Sequence, residues 1–269
     1  MSMSIAPRLL ATRLALLAFC AALLGPLVAC TEAKLEKIPP REIFHDDKLQ
    51  ITGELCTRSP ETLVFPLRVL FVVDASISMQ ITDPPDPITG ITRREEAVRE
   101  VWTRLLDEGP EGVRIGIIRF SAEAQSRTAV DLDGDSLPDT YFTSDRTLLD
   151  AATQALGVTD RTTNYGNALG EAYFEIRNEL AGADQESLPL SKYVVIFLSD
   201  GVPDTDNLED RGNTEDDIMD AVRALERLAE TFRVGSFSFH TAFLSSSTVA
   251  AFDTEAEDLL GKMAQIGNG

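Results

Sequence analysis

Cysteine is scarce: Cys20, Cys30 and Cys56 are the only three in 269 residues. That excludes a small scaffold stapled by disulfides. Histidine is scarcer still, with only His45 and His240, so a multi-histidine zinc site has too few ligands. Basic side chains are outnumbered, 24 against 44 acidic, for a net charge of −20. Such a chain repels phosphate backbones, which excludes nucleic-acid binding by backbone neutralisation. It suits cations, or partners with basic faces. No G-x-G-x-x-G and no G-K-[ST] occurs anywhere, which argues against dinucleotide and nucleoside-triphosphate sites. There is no internal repeat and no low-complexity tract. What remains is the composition of a folded chain, 43% hydrophobic and 25% charged. Its length suits one large domain or two small ones.

Residues 1–29 contain no acid and two basic residues, Arg8 and Arg13. The apolar run from Leu14 to Ala29, broken at Gly25-Pro26, falls short of the ~20 residues of a membrane-spanning helix. A basic start, a short apolar core and small residues before a break read as a secretory signal. The four residues Leu27-Val28-Ala29-Cys30 resemble the lipobox of bacterial lipoproteins. That resemblance implies removal of 1–29, acylation of Cys30 and anchoring in the cell envelope. Thr31 follows, where Asp is the usual inner-membrane retention signal, so the resemblance implies outer-membrane sorting. Loss of the signal takes the charge from −20 to −22. Cys56 is then the one free thiol, and it reads as a small buried hydrophobe rather than a nucleophile.

Residues 30–62 mix charges with Pro39-Pro40 and show no helical period; they read as a tether. From residue 63 to 269, strand-like and helix-like segments alternate. Val69 to Val73, Val113 to Phe120 and Tyr193 to Leu198 are continuous β-branched and aromatic runs, as in strands buried on both faces. Val234 to Leu244 alternates Ser and Phe and forms a fourth strand. A short edge strand is expected near 126–130 or 140–143. Between them, helical spacing marks Val98 to Leu106, Leu148 to Leu156, Leu169 to Leu180, Ile218 to Leu228 and Leu259 to Ile266. Thr92 and Glu95 form a capping box ahead of the first. The alternation predicts an α/β fold, doubly wound, with a mainly parallel sheet and helices on both faces. Ligands in such folds sit beyond the carboxyl ends of the strands.

The first buried strand is followed by Asp74-Ala75-Ser76-Ile77-Ser78, the third by Ser199-Asp200-Gly201. D-x-S-x-S sets three oxygen side chains at alternate positions, so in an extended segment they face one way. A loop offering further hydroxyls, Thr162 to Asn167, stands before a helix. Hydroxyl and carboxylate oxygens are hard ligands, suited to Mg²⁺, Mn²⁺ or Ca²⁺.

Together, Val72 to Met79, Thr163 to Leu169 and Phe197 to Gly201 resemble, in the right order, a von Willebrand factor type A domain with its metal-ion-dependent adhesion site. The resemblance covers residues 63–269. It implies hydroxyl ligands from Ser76, Ser78 and Thr163, with Asp74 and Asp200 holding the ion partly through water. It also implies an open position for an acidic side chain from a protein partner. Neutral hydroxyl donors would leave the ion electrophilic toward that acid. Two departures stand out: Ile77 and Thr162 occupy places where many members have Gly. Members of the family also carry a sixth strand after a turn like Gly267-Asn268-Gly269. Its absence here would leave the strand at 234–244 as an exposed sheet edge, open to a partner strand.

Asp131, Asp133, Asp135 and Asp139 lie at positions 1, 3, 5 and 9 of one loop. Carboxylates so spaced can surround Ca²⁺, and the pattern resembles thrombospondin type 3 loops; a solvated acidic turn is the alternative. Asp204, Asp206, Glu209, Asp210, Glu215, Asp216 and Asp217 read as a solvated rim that favours an acid presented among basic residues. His240 reads as a satisfied strand histidine. The resulting expectation is a non-enzymatic, metal-dependent protein-binding module of adhesion type, lipid-anchored to the envelope. The alternatives are a Mg²⁺-dependent phosphohydrolase, which needs a nucleophile and an acid or base beside the metal, and a structural lipoprotein with an unused site.

Overall fold

The computed structural model describes residues 65–135, 137–160, 162–204, 212–245 and 250–267. The signal at 1–29, Cys30, the tether at 30–62, Cys56 and the rim residues Asp206, Glu209 and Asp210 lie outside them.

Strand β1 (Leu67–Asp74) is the centre of the fold. Its side chains alternate: Val69, Phe71 and Val73 enter one core cluster, Leu70 and Val72 the other. A strand with apolar residues on both faces is stable only between two layers. Those layers are helices α2 (Arg93–Glu108) and α3 (Arg146–Gln154) on one side. On the other lie α4 (Tyr165–Gly182), α5 (Glu215–Thr231) and α6 (Ala250–Ile266). Trp102, Leu149 and Leu156 fill the first cluster; Leu169, Ile176, Ile218, Val222 and Leu260 fill the second.

The other strands are β2 (Arg114–Phe120), β3 (Ala124–Ser126), β4 (Lys192–Ser199) and β5 (Ser236–Phe243). Their order across the sheet is β3-β2-β1-β4-β5, and only β3 runs antiparallel. The chain therefore leaves β1 in one direction toward β2 and later returns to its other side as β4. That reversal opens a crevice at the carboxyl ends of β1 and β4. The register pairs Asp74 with Phe120 and Val73 with Leu198. Asp74 thus ends opposite Ser199, with Asp200 one residue beyond.

Two expectations are corrected. The edge strand is Ala124–Ser126, which meets only the first residue of the predicted 126–130, while 130 and 140 form an isolated bridge, as do Ile115 and Thr143. An edge strand pairs on one side only, so a short polar run suffices. The β5 edge is also not bare along its length. Phe239 N donates to Gly267 O at 2.9 Å, and the Phe239 ring is fully buried among the core residues beneath α6.

A one-turn helix α1 (Met79–Thr82) joins β1 to a buried ion pair. Asp83 Oδ2 accepts from Arg94 Nη1 at 3.0 Å, with both side chains at most 1% exposed. Arg94 Nε also donates to Leu156 O at 2.9 Å. Removing one partner of such a pair costs about 3–5 kcal/mol, because the other charge is left buried alone. The predicted capping box is present: Thr92 accepts from Glu95 N, and Glu95 accepts from Thr92 N at 2.8 Å.

Glu175, on the inner face of α4, is fully buried, and neither carboxylate oxygen has a hydrogen-bond partner among the described residues. Burial pushes its carboxyl well above the usual range, and Glu171 adds repulsion; the Ser126 hydroxyl alongside offsets this in part. An acid with a raised folded pKa supports the fold below its unfolded pKa and loses that support as pH climbs toward the folded value. Glu175→Gln removes the penalty. Thermal melts should show the variant gaining stability relative to wild type as pH rises from 4 to 8; a difference that does not change with pH would refute this.

Candidate metal centre

The carboxyl crest is a chain of oxygen atoms. Asp74, completely buried at the end of β1, accepts from Ser76 N at 2.7 Å through Oδ1 and from Ser199 Oγ at 2.5 Å through Oδ2. Ser76 Oγ lies 2.9 Å from Ser78 Oγ, and Ser78 Oγ donates to Asp200 Oδ1 at 2.8 Å. The hydroxyl of Thr82, on α1, donates to Asp200 Oδ2. Four of the five sequence-predicted ligands, Asp74, Ser76, Ser78 and Asp200, thus meet in one hydrogen-bonded cluster.

Thr163 is buried on the segment leading into α4 and is tied to the crest through its backbone. Its carbonyl accepts from Asp204 N at 2.9 Å, while Asn164 N donates to Ser121 O at 2.9 Å just beyond β2. No hydrogen bond of its side chain to the Asp74–Asp200 cluster occurs among the described residues. The Tyr165 hydroxyl donates to Gly201 O at 2.6 Å, pinning this loop to the one after β4. Its ring packs edge-on against Phe197, 4.8 Å between centroids. Asn213, also buried, accepts from Gly166 N at 3.0 Å and donates to Asp204 O at 2.9 Å. Gly166 is required there: a Cβ would lie 2.7 Å from Gly212 O. The Thr162 hydroxyl, in the place of the family's Gly, is buried without a partner among the described residues.

The electrostatics favour a cation. Burial pushes the Asp74 carboxyl up to about 6, and the charge of Asp200 pushes the same way; the hydrogen bonds from Ser199 and Ser76 pull it down. Among the described residues no Lys or Arg forms an ion pair with Asp74 or Asp200. Two neighbouring buried carboxylates surrounded by hydroxyls, without a basic side chain, are a donor set that fits a hard divalent ion. The sequence reading missed Ser199, Thr82, Tyr165 and Asn213. Only Ser199 carried a signal, a hydroxyl directly before Asp200.

In the acidic loop, the carboxylates of Asp131, Asp133 and Asp139 lie within 4.8 Å of one another, all exposed. Asp135 is outside that group and accepts from Leu137 N at 2.8 Å. Gly134, at φ +81°, makes the turn. His240 lies mid-strand on β5, exposed, 3.2 Å from Ser238 Oγ.

The chain is thus a doubly wound α/β domain with an acid-and-hydroxyl crest at its switch point. Residues 69–236 match the model of the von Willebrand factor type A domain, and the chain belongs to that family. Among solved structures it is similar to the von Willebrand factor domain of the type V pili tip protein Mfa5 from Porphyromonas gingivalis. The identity is 22% and the TM-score 0.38, over 53% of this chain and 40% of that one. It is similar to the PilB minor pilin from Streptococcus sanguinis at 15% identity and a TM-score of 0.47, over 78% of this chain and 57% of that one. A von Willebrand factor type A structure from Catenulispora acidiphila is 16% identical with a TM-score of 0.38, over 75% of this chain and 42% of that one. The chain therefore spans less than two thirds of the length of each. No curated protein matches the sequence.

Proposed function

We propose that this protein is a non-enzymatic, divalent-metal-dependent binding module of adhesion type, held at the bacterial cell envelope by lipid on Cys30. One observation carries the reading: the Asp74 and Asp200 carboxylates are both buried and joined through one chain of hydrogen bonds, from Asp74 to the Ser76 amide and from the Ser76 hydroxyl through that of Ser78 to Asp200, with no basic side chain paired to either acid among the described residues. Ser76, Ser78, Thr163, Asp74 and Asp200 would hold Mg²⁺, or Mn²⁺ or Ca²⁺. When bound, the ion supplies Lewis-acid attraction for a carboxylate. Ser199 and Thr82 orient the two acids, and the partner contributes one acidic side chain. A phosphohydrolase would need a nucleophile and an acid or base beside the metal; the second residue after Asp74 is the hydroxyl of Ser76, not a carboxylate.

Asp74→Ala removes a charge and an anchor at the centre of the cluster. Titration calorimetry with Mg²⁺ and Mn²⁺ should show affinity falling at least about tenfold, or ~1.4 kcal/mol. Equal affinities in wild type and variant would refute the assignment.

The acidic loop forms a second, separate cation site in this proposal, with Asp131, Asp133 and Asp139 as the ligands that the loop gathers. Millimolar Ca²⁺ should slow proteolysis within 131–139 in an Asp74→Ala background; unchanged cleavage returns the loop to a solvated turn.

Lipid on Cys30 follows from the apolar core ending in Leu27-Val28-Ala29-Cys30. Cys30→Ser should move the protein from the membrane fraction, where the outer membrane is expected, to the soluble one. A variant that still sediments with membranes removes the anchor from the proposal.

A further inference from the structure

The side of α4 turned toward β3 carries four polar residues, each about one turn from the next: Asn167, Glu171, Glu175 and Asn178. The outer two are tied to the protein. Asn167 Nδ2 donates to Ala122 O at 2.8 Å, in the turn between β2 and β3, and Asn178 Nδ2 donates to Tyr141 Oη at 3.5 Å. The inner two are carboxylates that form no ion pair among the described residues. Glu175 is fully buried with both carboxylate oxygens unpartnered, and Glu171, one turn earlier, is half-buried. Ser126 Oγ, at the end of β3, lies alongside Glu175 and is likewise buried without a partner among the described residues. Interiors seldom leave a polar atom unmatched; here three stand together in one gap between a helix and an edge strand.

Among the described residues nothing basic balances this charge. Side chains alternate across a strand, so Ser126 shares the α4 side of the sheet with its register partner Ile118. Arg127, next in sequence, points to the other side, where its Nη2 donates to Gln125 Oε1 at 2.8 Å. Arg177, on α4, is exposed. The titratable groups facing Glu175 are Glu171, from its own helix, and Tyr141, from the segment before α3. Like charges one turn apart on a helix repel. A proton on Glu175 would relieve one acid and leave the other charged, whereas a metal ion answers both. Carboxylate and hydroxyl oxygens are hard donors, suited to Ca²⁺ or Mg²⁺ and not to soft metals. Glu171 stands where the gap reaches the surface, which gives an ion a way in.

We infer that Glu175, Glu171 and Ser126 form a site for a hard divalent cation, Ca²⁺ or Mg²⁺, that joins α4 to the edge strand β3. Glu175 lies ten residues along α4 from Tyr165, roughly 15 Å at the rise of a helix. The site is therefore apart from the crest and from the acidic loop, and it depends on neither. Its ion fastens a strand that pairs on one side only. That strand follows the turn whose Ser121 and Ala122 carbonyls hold Asn164 and Asn167 at the start of α4.

The test starts from a background, Asp74→Ala with Asp133→Ala, that removes a ligand from each of the other two proposed cation sites. Its melting temperature is followed at pH 8 against Ca²⁺ in one arm and Mg²⁺ in the other. At least one ion should raise it, because an ion that binds only the folded state stabilises that state. Adding Glu175→Gln should abolish the rise or move its half-saturating concentration up at least about tenfold. A rise that Glu175→Gln leaves unchanged places the ion elsewhere and overturns the inference. No rise with either ion also overturns it, and leaves Glu175 a neutral buried acid. A second measurement needs no background variant: amide hydrogen exchange in the full chain, with the effective ion and with chelator. The ion should slow exchange in Ala124–Ser126 and in residues 171–178 of wild type, and not of Glu175→Gln. Equal slowing in both proteins, or none in wild type, overturns the inference whether or not the background folds. The melts of wild type and Glu175→Gln described above, made in chelator, should also diverge less with rising pH once the ion is added.

Discussion

Two carboxylates at the ends of neighbouring parallel strands repel each other, and burial raises the cost of charging Asp74. The surroundings of Asp74 and Asp200 are arranged around that cost. Ser199 and the Ser76 amide hold Asp74, while Ser78 and Thr82 hold Asp200. The loops supplying these groups are fastened in turn by Tyr165 to Gly201 and by Asn213 to Asp204. Hydroxyls and amides lower the charge penalty without neutralising it, since they donate dipoles and not a net charge. A crest so arranged keeps its acids together and still favours a cation.

The frame behind the crest uses an opposite solution. Asp83, directly after α1, is paired with Arg94 inside the protein, and Arg94 reaches on to Leu156. One acid is fully neutralised while two others, only a few residues away along the chain or across the sheet, have no basic partner among the described residues. A buried pair of this kind fixes position more than it adds stability. Here it locks α1 and the start of α2 to the turn after α3, which is the segment continuing into Val158 and Asp160.

The sequence disclosed the parts of this design that obey a period or a motif. The β-branched runs of β1, β2 and β4 announce strands covered on both faces, and Thr92 with Glu95 announces the start of α2. D-x-S-x-S and S-D-G at strand ends announce the crest. The missed parts depend on spatial neighbours that no spacing encodes. Ala124–Ser126 carries no apolar alternation, and pairs because β2 offers a free edge. Arg94 looks like a surface residue of a charged helix start, yet is buried because Asp83 folds back onto it. Glu175 follows the polar pattern of α4 but faces inward. Asp135 fits the loop's spacing, yet its carboxylate lies outside the group that Asp131, Asp133 and Asp139 form.

The position of β1 has a mechanical consequence. The chain enters the domain at the amino end of this strand, at Leu67, and the crest begins at its other end, at Asp74. A pull between those two points runs along the strand axis. β1 is flanked by parallel strands on both sides, with seven register pairs to β2 and seven to β4. Hydrogen bonds between strands lie across that axis, so the load is shared among them in shear and does not open them one at a time. Traction along β1 therefore meets the stiffest direction the sheet possesses.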